Sequence, residues 1–191
     1  MSNAGTISVA FDDCSGSTYR DHYVSIVDAS GDILAKKSIY ETGSLTAKVG
    51  ASGNYFVLVD GSYDTEDCSL TATHSSTTGA KETEANNITA TADLLTEGTL
   101  ITGQTSSKSD KDFFRTDIFE ALTARFTFLS NGDDYSSHTI SIFNSSGTQI
   151  TSERVNGNAS LDLSFNEAST IFGVVSNSYD TDDYSISYEI I

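Results

Sequence analysis

Oxygen-donor side chains recur along two short segments of this chain. In residues 82–87, acidic and amide side chains alternate with others, and residues 110–112 repeat the alternation. Side chains two positions apart on an extended strand point to the same side. Because calcium takes six to eight oxygen ligands, two such segments could close one site. The predicted calcium ligands are Glu82, Glu84, Asn86, Asn87, Asp110 and Asp112.

The same residues also fit a simpler interpretation, a solvated acidic linker beside a hairpin turn. With 27 acidic and 10 basic residues and a formal net charge of −17, the chain has many acidic stretches. It contains no EF-hand loop and no calcium-binding nonapeptide repeat. A calcium site of this kind belongs to the weak extracellular range, about 10⁻⁴ to 10⁻³ M. Both interpretations stay open on the sequence alone.

Catalytic chemistry has little support. His22, His74 and His138 are far apart, and neither an HExxH nor a GxSxG motif occurs. The acidic pair Asp182 and Asp183 is interpreted as solvated loop residues. We therefore predict that the chain is not an enzyme and has no catalytic residues.

The two cysteines, Cys14 and Cys68, could form a disulfide bridge. The bridge would close a loop of 68 − 14 = 54 residues, which contributes on the order of 4 kcal/mol in the chain-entropy model. It would also imply an oxidising compartment. The alternative is two unrelated buried thiols.

Exposed aromatic side chains offer a different function, the binding of carbohydrate or a protein matrix. The candidates for ligand contact are Tyr135, Tyr179 and Tyr184. Tyrosines that lie exposed in one plane would favour this function, whereas tyrosines in the core would not.

An internal repeat organises the elements that must position these residues. Residues 22–71 recur as residues 138–187 at a constant offset, since 138 − 22 = 116. The repeat predicts two domains, a first at residues 5–76 and a second at residues 88–191, joined by a linker at residues 77–87. The first copy lacks a counterpart of residues 82–120. Either the chain begins inside a longer natural domain, which predicts exposed edge strands, or the first copy is a reduced sandwich.

Short segments of alternating apolar and polar residues dominate both copies. Segments of this length, bounded by turns rich in Gly, Asn and Asp, predict an all-β fold of two tandem antiparallel β-sandwiches, jelly-roll-like in kind. The continuously apolar runs at residues 55–59 and 171–175 predict strands buried on both faces. Turns are predicted at Gly31, Gly147 and Gly157.

Composition excludes several classes of partner. The strong negative charge would repel phosphate backbones, so nucleic acid is not an expected partner. No apolar stretch approaches the roughly 20 residues of a membrane span. Residues 1–4 resemble a remnant of an expression vector and are left out of the fold prediction.

The second copy resembles the bacterial pre-peptidase C-terminal domain family, which is related to the collagen-binding domains of collagenases. The resemblance rests on the Glu-x-Glu-x-Asn-Asn segment, Asp93, a Gly103 turn, the Asp-x-Asp-Phe-Phe segment at residues 110–114 and the terminal Tyr184. It covers residues 82–191, and the first copy matches only through the repeat.

This resemblance implies a non-catalytic accessory module, often attached to secreted peptidases, with a spacer or targeting role. In the collagen-binding relatives, calcium is held by acidic residues of the N-terminal linker and by an aspartate-bearing loop, which correspond to the six residues predicted above. The expected location is outside a bacterial cell, secreted or at its surface. The expected partners are neighbouring domains of a larger protein, with polysaccharide or extracellular matrix as the alternative.

Overall fold

The computed structural model describes residues 4–13, 22–61, 68–76, 78–107, 109–130, 137–177 and 182–191. Contacts divide the chain into two compact units, Met1–Thr78 and Gly79–Ile191. Regular structure in the described residues is almost entirely β-strand, which confirms the predicted all-β sandwich class. Its one helix, a single 3-10 turn at Thr89–Thr91, is far too short to span a membrane.

The first unit is a sandwich of two three-stranded antiparallel sheets, with strand orders β4-β1-β6 and β3-β2-β5. Its core lies between the sheets and is built from inward-facing side chains such as Phe11, Ile26 and Leu45. The strands are β1 (Gly5–Asp13), β2 (His22–Val27), β3 (Ile33–Ile39), β4 (Thr42–Val49), β5 (Phe56–Gly61) and β6 (Cys68–Ser76).

The second unit is a larger sandwich of two five-stranded sheets, β14-β11-β16-β9-β7 and β13-β12-β15-β10-β8. Strands β11 to β16 have the order that β1 to β6 have in the first unit. The strands are β7 (Ala80–Lys81), β8 (Asp93–Leu94), β9 (Ile101–Thr105), β10 (Lys111–Ile118), β11 (Leu122–Ser130), β12 (His138–Asn144), β13 (Gln149–Val155), β14 (Ala159–Phe165), β15 (Ser169–Asn177) and β16 (Asp182–Ile190).

The predicted turns are present. Gly31, Gly147 and Gly157 all have positive φ, a region that glycine enters without steric cost. In the turn before Gly147, the Asn144 side-chain oxygen accepts hydrogen bonds from the backbone N–H of Ser146 (3.1 Å) and Thr148 (2.9 Å). Such a side chain satisfies the turn's own donors and fixes the β12–β13 hairpin.

One strand differs from its prediction. The run at residues 171–175 lies in the central strand β15 and is largely buried, as predicted. Its counterpart β5 leaves most of its side chains exposed, so the prediction of burial on both faces is wrong there. The physical reason is that β15 has neighbours on both edges, β12 and β10, whereas β5 pairs only with β2 among the described strands.

A buried acidic cluster in the second unit

The start of the second unit directs Glu82 into the interior. β7 pairs with β9 in parallel, and the Glu82 N–H continues this ladder by donating to Thr102 O at 3.1 Å. The Glu82 carboxylate then accepts a short hydrogen bond from the Gln104 N–H through Oε1. Only 1% of Glu82 is exposed.

Asp112 reaches the same place from the other sheet. Along β10 the odd and even positions alternate between outside and inside, so Asp112 faces the core together with Phe114 and Ile118. Asp112 has no exposed surface. A carboxylate therefore occupies an inward position of the kind that usually holds an apolar side chain. Burying its charge is unfavourable unless an opposite charge or hydrogen bonds compensate it.

Tyr184 of β16 joins the two acids. Its hydroxyl oxygen lies 2.7 Å from Glu82 Oε2 and 2.7 Å from Asp112 Oδ2. A phenol has one hydrogen and can donate it to only one of the two carboxylates at a time. The second short contact therefore requires either a proton on a carboxyl group or a nearby cation that offsets the negative charge.

Glu84 completes a group with the geometry of a metal site, which we call the acidic cluster. One possible ligand oxygen from each of Glu82, Glu84 and Asp112 lies within 4.8 Å of the other two. Calcium binds oxygens at about 2.3–2.6 Å, so ligands on opposite sides of one ion lie about 5 Å apart. A single ion could therefore touch all three carboxylates. It is the only such group of acidic, histidine or cysteine side chains in the described part of the chain.

Asn86 is fixed beside the cluster by Asp93. The Asn86 side-chain nitrogen donates to Asp93 Oδ2 at 3.1 Å, and the same oxygen accepts from the Thr83 N–H at 2.7 Å. Asn86 is fully buried, yet its Oδ1 has no hydrogen-bond partner; the same is true of Asp112 Oδ1. Buried oxygens are rarely left without a partner. A cation bound at the acidic cluster would give the Asp112 oxygen, which belongs to it, and the Asn86 oxygen of the same segment a partner.

Asp110 and Asn87 lie at the border of the cluster. Asp110 accepts hydrogen bonds from the N–H of Ser106 (2.5 Å) and from its own neighbour Lys111 (3.0 Å). With its amide oriented to satisfy both ends, Asn87 donates to Asp110 Oδ1 at 2.7 Å. Asp110 therefore organises the loop between β9 and β10, and its charge acts on Glu82 and Asp112 at longer range.

Burial dominates the electrostatics of the cluster. Loss of water raises the pKa of Glu82 well above its usual range, and the charge of Glu84 raises it further. Burial likewise raises the pKa of Asp112, with added repulsion from Glu82 and Asp110. The pKa of Tyr184 is also raised well above its usual range by burial and by the two acids. Negative charge on these three side chains is therefore unfavourable unless a proton or a cation is bound among them.

Two predicted elements differ in the structure. Residues 79–87, most of the predicted linker, belong to the second unit, because β7 adds to its sheet and Glu82 enters its core. Gly103 lies inside strand β9, not in a turn. A Cβ there would collide with the Glu82 carboxylate and would lie 2.5 Å from the Tyr184 hydroxyl. The glycine lets two side chains approach the backbone closely.

Among the proposed ligand-contact tyrosines, Tyr184 is fully buried, so the prediction of a surface contact is wrong for this residue. Tyr135 and Tyr179 lie outside the described residues, as does Cys14. Cys68 is exposed at the start of β6, where its backbone pairs with that of Asp13. The disulfide bridge therefore stays a prediction.

Asp182 also differs from its prediction as a solvated loop residue. It is buried at the start of β16, where its Oδ2 lies 3.5 Å from His138 Nε2. The imidazole packs against Phe128 at 4.9 Å between ring centres. The apolar surroundings lower the pKa of His138, although Asp182 acts in the opposite direction.

The fold and the cluster together define a mainly antiparallel β-sandwich protein with an enclosed group of oxygen donors. No protein-family model and no curated protein matches the chain. Among solved structures, it is similar to the pre-peptidase C-terminal domain of a Bacillus anthracis collagenase, at 16% identity and a TM-score of 0.41, over 51% of this chain and 94% of that one.

Two further similarities involve proteins with carbohydrate-binding modules. One is a carbohydrate-binding module of the β-sandwich superfamily, at 11% identity and a TM-score of 0.28, covering 100% of this chain and 94% of that one. The other is the Clostridium perfringens protein ZmpB, an M60 catalytic domain with two CBM51 domains, at 8% identity and a TM-score of 0.33. This match covers 99% of the chain but 32% of ZmpB. Similarities at these values carry no conclusion about binding or activity.

Proposed function

We propose that the chain is a non-catalytic accessory module of a secreted or cell-surface protein, of the bacterial pre-peptidase C-terminal kind, and that its second unit is stabilised by calcium. The observation that carries the proposal is the orphaned Asp112 Oδ1 inside the acidic cluster. A divalent cation bound there would give this oxygen a partner and would offset the repulsion among three carboxylates. The Asn86 side-chain oxygen is a further ligand within the same segment.

The donor set favours calcium over other metals. All the donors are carboxylate or amide oxygens, which are the hard ligands that calcium prefers. Magnesium gives up its water ligands reluctantly and usually keeps several of them. A site in which Glu82 and Asp112 have almost no exposed surface leaves little room for such waters.

Burial also favours a structural role over a catalytic one. Glu82, Asp112 and Tyr184 are enclosed by both sheets, so a substrate could not reach them without opening the sandwich. An ion held there would join the segment at Glu82 and Glu84 to strand β10, which carries Asp112. Occupancy of a site in the 10⁻⁴ to 10⁻³ M range requires the calcium concentrations found outside cells, which fits a secreted location.

The test is thermal unfolding of the full chain in EDTA and in about 10 mM calcium, followed by calorimetry. If the dissociation constant is about 10⁻⁴ M, calcium at a hundred times that value should add about 2.7 kcal/mol to the free energy of unfolding. Glu84→Ala and Asp112→Asn should lose this increment. Magnesium at the same concentration should give a smaller one.

Asp117→Asn is the matched control for Asp112→Asn. Asp117 lies on the same strand, but it pairs with Arg115 at 2.6 Å on the outer surface and does not touch the cluster. This variant should keep the full calcium increment even if its basal stability falls. Equal increments in Asp112→Asn and Asp117→Asn, or no increment in the unchanged chain, would refute calcium binding at the cluster.

A further inference from the structure

Equivalent strands of the two units differ in whether a further strand pairs with them. In the second unit, β16 pairs with β9 and β15 pairs with β10, and each sheet then continues with one more short strand, β7 or β8. In the first unit, β6 and β5 occupy the equivalent positions, but each is the last strand of its sheet among the described residues. We call this pair of unpaired strands, Phe56–Gly61 and Cys68–Ser76, the open edge.

Side chains at the open edge are exposed where their equivalents are buried. Leu70 of β6 is 43% exposed, whereas Ile186, at the same position of β16, is 1% exposed. Val59 of β5 is 36% exposed, and its equivalent Val175 is 0% exposed. Leu70 pairs with the buried Phe11 just as Ile186 pairs with Phe128, so both face the inside of their sandwiches. The interior of the first unit is therefore accessible from its open edge.

The second unit shows what kind of structure covers such an edge. β9 runs antiparallel to β16 with Ile101 opposite Ile186, and β10 runs antiparallel to β15 with Phe114 opposite Gly173. Ile101 and Phe114 enter the same core cluster as Val175 and Ile186. Two strands joined by one short loop thus extend both sheets and close the core together.

We propose that the open edge is a docking site for a polypeptide segment that supplies two such strands. One strand pairs antiparallel with β6 and places an aliphatic side chain opposite Leu70. The other pairs antiparallel with β5 and places a large aromatic side chain opposite Val57, the counterpart of Gly173. The segment resembles residues 101–118 in being extended with inward side chains such as those of Ile101 and Phe114, but it carries an apolar residue in place of Asp112, which lies opposite Val175, the counterpart of Val59.

Two kinds of interaction recognise this partner. The outer N–H and C=O groups of edge strands are available to pair with an added strand, which provides affinity that is independent of side chains. The exposed Leu70 and Val59 select a segment that has apolar side chains at alternate positions. A strand pair with charged inward positions would bury those charges without partners and would be rejected.

The test measures hydrogen exchange by mass spectrometry on the full chain, with a synthetic peptide of residues 93–119 that carries Asp112→Val as the probe. At saturating peptide, the backbone amides of Phe56–Gly61 and of residues 68–73 should exchange at least tenfold more slowly. Strand β3, at the opposite edge of its sheet, should not change. A control peptide with Ile101→Asp and Phe114→Asp should give no protection, and neither should Leu70→Asp in the chain itself.

Adding the segment to the same polypeptide chain reduces the entropy that a free peptide loses when it binds. A second copy of residues 93–121 with Asp112→Val, placed ahead of Gly5 as the original precedes Leu122, should protect the same amides within one molecule. Absence of protection in both experiments overturns the proposal, as does equal protection by the control peptide. Protection that rises with chain concentration in the absence of peptide would instead make a second copy of the chain the occupant and would also overturn it.

Discussion

The Tyr184 hydroxyl lies 2.7 Å from Asp112 Oδ2, although the two residues are 72 positions apart and belong to different sheets. The Tyr184 ring is held by an edge-on contact with Phe114, at 6.2 Å between ring centres, and by stacking on Phe128 at 5.6 Å. Because the ring cannot turn freely between these neighbours, the hydroxyl is fixed between the acids. The contact joins the two sheets through polar atoms inside an apolar core.

Removing this hydroxyl should weaken the second unit. Tyr184→Phe keeps the ring but removes the hydroxyl that contacts two buried carboxylates and donates to one of them, and hydrogen bonds to charged groups contribute about 1.5–3 kcal/mol. We expect a loss of about 2 kcal/mol in the free energy of unfolding in calcium, measured by denaturant titration. Tyr188→Phe is the control, since Tyr188 lies in the same strand as Tyr184 and its ring stacks on Phe126 of the neighbouring strand β11. An equal loss in both variants would contradict a special role for Tyr184.

The ion-free protein should lose stability as the pH rises. The pKa values of Glu82 and Asp112 are raised by burial in the folded state. The folded state therefore holds protons that the unfolded state has released, and the stability they contribute is present in full only below the ordinary carboxyl pKa values, about 4. That stability is lost as the pH rises through the raised pKa values. Melting in EDTA across pH 4 to 8 measures this effect.

Two comparisons make the pH experiment specific to the cluster. Asp112→Asn should flatten the fall in stability, because it removes one of the two titrating groups. Calcium should raise the melting temperature more at pH 8 than at pH 5, since protons and calcium compete for the same oxygens. A calcium increment that is independent of pH would argue that the ion binds elsewhere.

Gly103 should be intolerant of any side chain. A Cβ at this position would meet the Glu82 carboxylate and the Tyr184 ring, and overpacking of this kind typically costs about 1–3 kcal/mol. We expect Gly103→Ala to lower stability by this amount and to weaken the calcium increment. Gly173→Ala is the matched control: Gly173 lies in strand β15 of the same unit, and its Cβ would meet Ile142 at an ordinary 3.6 Å. Similar losses in both variants would mean that only strand propensity is being measured.

The sequence predicted the sandwich class because alternation is a local property. Phe126 and Phe128, two positions apart, do face the same core. Whether a strand is buried on both faces depends instead on the strands that pair with it, which is not a local property. The apolar run at residues 55–59 looks like that at residues 171–175, yet among the described strands only the second run has a neighbour on each side. What distinguishes them is the pairing of β10 with β15, which residues 55–59 themselves do not encode.

The acidic cluster was predictable only in part, because residue spacing within a strand is local whereas the pairing of strands is not. Period-two spacing placed Glu82 and Glu84 in one segment and Asp112 in another, and the structure brings these three together. Tyr184 and Gln104 were missed as members of the site, because their approach depends on the register of β16 against β9. The one available signal was Gly103, a glycine inside a strand pattern, which often marks a close approach of other atoms to the backbone.

A second buried pair should give an acid sensitivity of opposite sign. Burial lowers the pKa of His138 in the folded state, even though Asp182 lies 3.5 Å away. Below the ordinary histidine pKa of about 6.5, the unfolded state therefore binds a proton that the folded state resists. This contribution to stability is present above pH 6.5 and is lost as the pH falls. Melting in saturating calcium from pH 7 to pH 5 should show the loss.

Variants at this pair separate its effect from that of the cluster. His138→Gln should reduce the loss between pH 7 and pH 5, because no imidazole remains to be protonated. Asp182→Asn should deepen it, since the carboxylate is the group that favours the protonated imidazole. The unchanged chain and both variants could instead lose the same stability between pH 7 and pH 5. The acid sensitivity would then have to come from protons displacing calcium at Glu82 and Asp112. In EDTA, stability would then rise as the pH falls from 7 to 5, the opposite of the change in calcium.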